Sequence, residues 1–134
     1  MKAVDTSVVI AAYATWHEAH PAARRLLDDS PRISAHAALE VYSVLTRLPP
    51  PHRAPAAQVR EFLAAAFLEP WLVLAGPEQA SLLGHLVELG ISGGATYDAL
   101  IGATALSAGA TLITLDRRAR TVYDRLGVDV SFVG

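Results

Sequence analysis

The 134-residue sequence contains no cysteine, which excludes a disulfide scaffold, a cysteine-ligated zinc site, an iron–sulfur cluster and a cysteine nucleophile. It also lacks the glycine-rich patterns GxGxxG and GxxxxGK(S/T), so neither of these phosphate-binding loops is present. The absence of cysteine fits a reducing compartment, and we predict a cytoplasmic protein.

An excess of positive charge is missing as well. Eleven Lys and Arg residues face thirteen Asp and Glu residues, and the net charge is −2. The chain therefore lacks the overall basic character of a histone-like protein, and any contact with nucleic acid must come from a local patch. Hydrophobic residues make up 52% of the chain, which excludes a disordered protein, and the length predicts one domain over residues 1–134.

No uncharged stretch has the composition of a membrane span. The longest one, at residues 99–115, is interrupted by Gly102, Gly109 and several Ser and Thr residues. This pattern is typical of a helix, a turn and a strand rather than of a helix in a bilayer. We expect no association with a membrane.

Short β-branched runs alternate with helical periods along the chain. The predicted strands are Lys2–Asp5, Arg32–Ser34, Trp71–Leu74, Thr111–Leu115 and Val128–Val133. The predicted helices are Thr6–Ala14, Pro21–Asp28, Ala37–Leu48, Ala56–Phe67, Pro77–Leu89, Tyr97–Ala108 and Arg117–Leu126. This alternation predicts an α/β fold of βα units with a mostly parallel sheet.

Four acidic residues stand alone in apolar surroundings. Asp5 and Asp116 each follow an apolar strand, so both should emerge at the carboxyl edge of the sheet, where open α/β folds bind ligands. Glu40 and Asp98 lie in apolar helical stretches. Four carboxylates at one edge would repel one another unless a divalent cation joined them, and ligands that are all oxygen favour Mg²⁺ or Mn²⁺ over zinc.

Each of these acids also has an ordinary structural explanation. Asp5 and Asp116 each precede a predicted helix, where they would serve as N-caps. Asp98 in a first helical turn would interact favourably with the helix dipole. Glu40 would pair with His36, one turn earlier on the same helix. The recurrence of four isolated acids in one short chain favours a shared site.

Four segments, in order along the chain, resemble the acidic motifs of a known family. They are residues 1–7 (MKAVDTS), 34–41 (SAHAALEV), 97–106 (YDALIGATAL) and 109–118 (GATLITLDRR). The chain resembles the PIN-domain ribonucleases, especially the toxins of VapBC-type toxin–antitoxin pairs. The resemblance extends over nearly the whole sequence.

The resemblance implies a PIN-like three-layer α/β/α sandwich around a short, mostly parallel sheet. It implies an endoribonuclease that depends on Mg²⁺ or Mn²⁺, and metal-activated water would leave 5′-phosphate and 3′-hydroxyl ends. It also implies a homodimer and a cognate antitoxin that occupies a groove and blocks the site. The implied catalytic and metal-binding residues are Asp5, Glu40, Asp98 and Asp116, with Thr6 and Thr114 as supporting polar groups.

Three arginines within four residues after Asp116 form a candidate RNA contact. Arg117, Arg118 and Arg120 would bind backbone phosphates beside the acids, or they would form a solvated helix face that pairs with Asp124. Some members of the family carry a further acid or Asn at this point of the chain. The arginines therefore leave open whether one or two metal ions bind.

Two other functions stay open. A non-catalytic PIN-like module would use the same fold to bind protein or RNA. A phosphorylated receiver domain would need an acidic pair near the first strand and a lysine in a late loop, whereas Lys2 is the only lysine in the sequence.

The aromatic residues have two interpretations. We expect Phe67 and Trp71 in the core rather than as platforms for stacked bases. Tyr13, Tyr42 and Phe62 would line a groove for a partner helix, but burial in the core is the simpler expectation.

Overall fold

In the computed structural model, which describes residues 1–133, four short strands form one parallel sheet. The strands are β1 (Lys2–Val4), β2 (Arg32–Ile33), β3 (Thr111–Thr114) and β4 (Val130–Phe132). Their order across the sheet is β2-β1-β3-β4, and every neighbouring pair is parallel. The predicted parallel sheet is confirmed. Gly134, the last residue of the predicted domain, lies outside the described residues.

Seven α-helices surround the sheet within the described part of the chain. They are α1 (Thr6–Tyr13), α2 (His20–Leu26), α3 (Ala35–Thr46), α4 (Ala56–Ala66), α5 (Gly76–Leu89), α6 (Ala95–Ser107) and α7 (Arg117–Arg125). Each corresponds to a predicted helix, with its ends shifted by at most two residues. Among residues 1–133, no helix has both the length and the apolar character that crossing a bilayer requires.

The strand predicted at Trp71–Leu74 is wrong. Leu72 makes only an isolated parallel bridge beside β2, in which its N–H donates to Ile33 O and its carbonyl accepts from Ala35 N, both at 2.9 Å. Pairing goes no further because Ser34 caps α3 and the backbone turns into that helix at the next residue.

Three strands end where a side chain caps the following helix. Asp5 Oδ1 accepts a hydrogen bond from Val8 N at 3.3 Å, and Ser34 Oγ accepts one from Ala37 N at 3.1 Å. Asp116 Oδ1 accepts from two backbone N–H groups in the first turn of α7, at 2.9 and 3.2 Å. Each cap stabilises its helix by about 1 kcal/mol, so the sequence itself determines where these strands give way to helices.

The sheet order places a topological switch point between β1 and β3. From β1 the chain passes through α1 and α2 to β2 on one side, whereas β3 lies on the other side of β1 and leads through α7 to β4. Helices α1 to α4 pack with one another, and α5 to α7 pack with one another. The predicted three-layer α/β/α sandwich is confirmed, and open α/β folds bind ligands at such a switch point.

The expected burial of the aromatic residues is only partly correct. Phe67 is buried, and the partly buried Tyr13 ring packs edge-on against Phe62 with centroids 5.2 Å apart. Trp71 and Tyr42 are each 40% exposed, so for these two the core prediction is wrong. Both line an apolar groove that also contains three alanines of α4, whose side chains are too small to cover the rings.

Gly102 lets α6 approach α7 closely. A Cβ atom at this position would lie 2.9 Å from Tyr123 Cδ1 and 3.3 Å from Val128 Cγ2. The Tyr123 ring is not free to move away, since its hydroxyl donates a hydrogen bond of 2.9 Å to Asp5 Oδ2. The contact between the two helices therefore depends on the absence of a side chain.

Replacing Gly102 should destabilise the fold through this contact. We expect Gly102→Ala to lower the free energy of unfolding by roughly 1–3 kcal/mol, because the added methyl group overpacks the interface. Urea denaturation measures the change. Gly84→Ala in α5 is the matched control, since nothing lies within 4 Å of its new Cβ, and it should raise stability by about 0.5–1 kcal/mol. Equal effects of the two substitutions would contradict the proposed overpacking.

Candidate functional site

The four acids singled out in the sequence line one small cavity. It has a volume of about 170 Å³ and lies where β1 and β3 end, at the switch point of the sheet. The acids come from four separate elements: the caps of α1 and α7 and the bodies of α3 and α6. The acidic lining residues are Asp5, Glu40, Asp98 and Asp116.

Asp5 is the best anchored of the four. Its side chain is buried, and its Oδ1 accepts hydrogen bonds from Ser7 Oγ at 2.5 Å and from Val8 N at 3.3 Å. Its Oδ2 accepts from Thr114 Oγ1 at 2.6 Å and from Tyr123 OH at 2.9 Å. Burial raises the pKa of Asp5 above its usual value, and these four hydrogen bonds offset that rise only in part.

Two of the residues that hold Asp5 were not predicted. Ser7 accepts a further hydrogen bond from Leu115 N at 2.9 Å, so it joins α1 to the end of β3. Ser7 lies two residues after Asp5, and this spacing is the local feature of the sequence that could have indicated the contact. Tyr123 lies 118 residues from Asp5 in the sequence, and no local pattern connects them. Burial and the Asp5 carboxylate raise the pKa of Tyr123, so its hydroxyl stays protonated as a donor.

The two predicted supporting threonines differ in their surroundings. Thr114 contacts Asp5 directly, and its Oγ1 also accepts a hydrogen bond of 2.9 Å from Asp116 N. Thr6 lines the same cavity, but its Oγ1 is buried without a hydrogen-bond partner among residues 1–133. Thr114 thus links two of the acids, whereas Thr6 offers an unsatisfied oxygen beside them.

The side chain of Asp98 is partly buried and is repelled by the charges of the other three acids. Burial is the largest cause, the negative charges of Asp116, Glu40 and Asp5 follow in that order, and together they raise the pKa of Asp98 to about 6. The guanidinium of Arg118 acts in the opposite direction. The carboxylates are therefore close enough to repel one another.

Glu40 and Asp116 also make the contacts expected of structural residues, with His36 and with the first turn of α7 respectively. Glu40 Oε2 lies 3.4 Å from His36 Nε2, without the alignment of a hydrogen bond. Asp116 caps α7 through Oδ1, and the same oxygen lies 4.0 Å from Arg118 Nε. Its Oδ2 takes part in none of these contacts. A capping role and a place in the cavity are thus compatible.

The donor set has the chemistry that Mg²⁺ or Mn²⁺ prefers, since the cavity is lined by carboxylate and hydroxyl oxygens and, among residues 1–133, by no imidazole. As the side chains stand, no three Asp, Glu or His groups within residues 1–133 are close enough together to hold an ion. Asp5 is fixed by its hydrogen bonds, whereas Glu40, Asp98 and Asp116 are only partly buried. Rotation of these three side chains would be needed to enclose a cation.

The three arginines predicted to contact RNA do not lie together in the structure. Arg118 is 95% exposed, and its positive charge acts on both Asp116 and Asp98. The guanidiniums of Arg117 and Arg120 lie over the Phe132 ring, 4.9 and 4.8 Å from its centroid, and Arg120 Nε is 3.5 Å from Asp124 Oδ2. The predicted pairing with Asp124 is confirmed for Arg120.

Neutralising Asp98 should stabilise the metal-free protein in a pH-dependent way. Its pKa is about 6 in the folded state and about 4 in the unfolded state, so ionisation disfavours folding increasingly as the pH rises from 4 to 6. We expect Asp98→Asn to raise stability by roughly 1 kcal/mol at pH 7.5, after a discount for solvent screening of this partly exposed group. Near pH 4 the gain should vanish.

Thermal unfolding in EDTA at the two pH values measures this effect. Asp28→Asn replaces an exposed aspartate outside the cavity and serves as the matched control. A gain for Asp98→Asn that is the same at both pH values, or that matches the control, would argue against repulsion and burial at this carboxylate.

Comparison with protein families matches residues 2–125 to the PIN domain. The chain is 51% identical over 133 residues to Ribonuclease VapC40 of Mycobacterium tuberculosis, from the strains CDC 1551 / Oshkosh and ATCC 25618 / H37Rv, and the match covers 99% of each chain. It is 38% identical over 133 residues to Ribonuclease VapC27 of strain ATCC 25618 / H37Rv, covering 96% of this chain and 93% of the relative. By its fold and by both comparisons, the chain belongs to the PIN-domain family.

Proposed function

We propose that this protein is an endoribonuclease that depends on Mg²⁺ or Mn²⁺ and acts as the toxin of a type II toxin–antitoxin pair. Membership of the PIN-domain family and relatives named as ribonucleases support the proposal. The observation that carries it is the convergence of four carboxylates on one cavity at the switch point of the sheet, namely those of Asp5, Glu40, Asp98 and Asp116.

The four acids would hold a cation in different ways. Asp5 has a fixed position because its neighbours donate four hydrogen bonds to it. Glu40, Asp98 and Asp116 are less constrained and would turn toward the ion. Mg²⁺ or Mn²⁺ bound there would activate a water molecule and stabilise the charge that develops on the scissile phosphate. Neutralising the mutual repulsion of the acids would favour metal binding further.

Phosphate groups of the RNA would lie on the cationic side of the acid cavity. A second cavity, of about 610 Å³, shares Ser7, Ile10 and Asp116 with the acid cavity, and its other polar lining residues are Arg117, Arg118, His17 and Glu18. The Arg118 side chain is 95% exposed and its Nε lies 4.0 Å from Asp116 Oδ1, so we propose it as the main phosphate contact. Arg120 would contribute less, since it is engaged with Phe132 and Asp124.

Removal of the metal or of one carboxylate should abolish RNA cleavage. We expect EDTA to stop the reaction, and Mg²⁺ or Mn²⁺ to restore it. Asp98→Asn should lower the rate by on the order of 100-fold or more, because a ligand to the cation is lost. Gel analysis of cleaved RNA measures both effects, with Asp28→Asn as the control that keeps its activity. Cleavage that persists in EDTA would contradict the proposed metal dependence.

The ends of the RNA fragments test how the phosphodiester bond is broken. An attacking water and a departing 3′-oxygen leave a 5′-phosphate and a 3′-hydroxyl group. We expect these ends because no histidine or lysine of the described chain lines the acid cavity, where it could activate the neighbouring 2′-hydroxyl. Mass spectrometry of the fragments identifies them. Recovery of 2′,3′-cyclic phosphate ends would rule out attack by water.

A non-catalytic PIN-like module is the second candidate. The observation that favours it is that the carboxylates of the described chain are not already close enough to hold an ion. Titration calorimetry with Mn²⁺ separates the two candidates, because a degenerate cavity should bind little metal. Asp98→Asn, which removes one proposed ligand, is the reference for metal bound elsewhere on the protein.

We further propose one domain, a homodimer and a cognate antitoxin as the context of this activity. The apolar groove lined by Leu39, Tyr42, Leu63 and Trp71 would take a segment of the antitoxin. We propose that a partner in this groove extends along α3, which also carries Glu40, and covers the acid cavity. Co-purification with the product of a neighbouring open reading frame tests this part of the proposal.

A further inference from the structure

The residue directly before Asp98 carries an exposed aromatic ring. Tyr97 lies in the first turn of α6, directly before Asp98, and is 54% exposed. Its ring stacks on the ring of His36, with centroids 5.1 Å apart and planes within 7° of parallel. His36 therefore covers one face of Tyr97 and holds its orientation, while a large part of the ring stays open to solvent.

Each ring of this stacked pair is close to one of the four acids. On α6, Tyr97 is adjacent in sequence to Asp98, which lines the cavity. On α3, His36 Nε2 lies 3.4 Å from Glu40 Oε2, and Glu40 lines the same cavity. The pair thus bridges α3 and α6 beside two of the four carboxylates.

We propose that Tyr97 is a substrate-binding residue, and that a nucleobase next to the scissile phosphate stacks on its open face. The inference rests on the proposed ribonuclease function. Aromatic rings bind unpaired bases through their π faces whatever the base, so Tyr97 would position the strand rather than read a sequence. Because His36 already holds the ring, little side-chain freedom is lost on binding.

A site for single-stranded RNA also needs a cationic group for the phosphates, and Arg118 supplies one. Arg118 lies beside Asp116, so the acids have a cationic neighbour for phosphates as well as an aromatic neighbour for bases. Single-stranded nucleic acids are commonly bound by this combination of cationic groups and stacking rings.

A purely structural role for the stack makes different predictions. If Tyr97 and His36 serve only to join α3 to α6, Tyr97→Ala lowers the melting temperature and weakens binding of all RNAs equally. If Tyr97 stacks on a base, the loss depends on whether that base is present. An RNA with a missing base therefore distinguishes the two roles.

The experiment measures binding of single-stranded RNA by fluorescence anisotropy. The RNAs share one sequence, and a single abasic site is moved through it one nucleotide at a time. All proteins carry Asp98→Asn and are kept in EDTA, which prevents cleavage and removes one charge that repels phosphate. We expect Tyr97→Ala to weaken binding of the intact RNA roughly 10-fold, and to have little effect when the abasic site is at the stacked nucleotide. Tyr97→Phe should bind like the parent.

Trp16→Ala is the matched control. Trp16 is 50% exposed and lies against the ring of His52 with centroids 4.3 Å apart, but it does not line the acid cavity. Its substitution should leave binding of every RNA unchanged. Equal weakening of all RNAs by Tyr97→Ala, no weakening at all, or an absence of RNA binding by the parent would each overturn the inference.

Cleavage assays with Mg²⁺ separate this inference from the function on which it rests. A protein that cuts RNA with the same KM before and after Tyr97→Ala retains the proposed function and refutes the stacking role. A protein that binds RNA through Tyr97 but never cuts it refutes the ribonuclease function and keeps the stacking role.

Discussion

The buried carboxylate of Asp5 holds together the part of the structure on which the candidate site depends. It accepts hydrogen bonds from Ser7, Thr114 and Tyr123, and so it connects β1 with α1, β3 and α7. Burial nevertheless raises its pKa, which means that these contacts do not fully compensate for its removal from water. The network therefore gives the carboxylate a defined position and is weak evidence for added stability.

The other three acids add a second constraint, namely repulsion between like charges. They gather around Asp5 because the sheet order brings the ends of β1 and β3 together and because α3 and α6 pack against each other at that point. Burial and, after it, the charges of the other three acids raise the pKa of Asp98. A fold that assembles like charges in one cavity carries an energetic cost, and a bound divalent cation would relieve it.

The cationic and the aromatic neighbours of the cavity lie next to different acids. Arg118 lies on the side of Asp116, whereas the stacked rings of Tyr97 and His36 lie on the side of Glu40 and Asp98. Arg117 and Arg120 lie over Phe132. Proximity in the sequence thus does not give the three arginines a common role, because successive helical residues point in different directions.

Local features of the sequence determined the secondary structure and the candidate acids. The capping residues Asp5, Ser34 and Asp116 end strands and begin helices through contacts within three residues, which a sequence pattern contains in full. The tertiary structure alone decided that Tyr123 donates to Asp5, that Tyr97 rests on His36, and that Trp71 lies in an open groove rather than in the core. These outcomes depend on the order of the strands and on the size of side chains on neighbouring helices, and short-range periodicity carries no information about either.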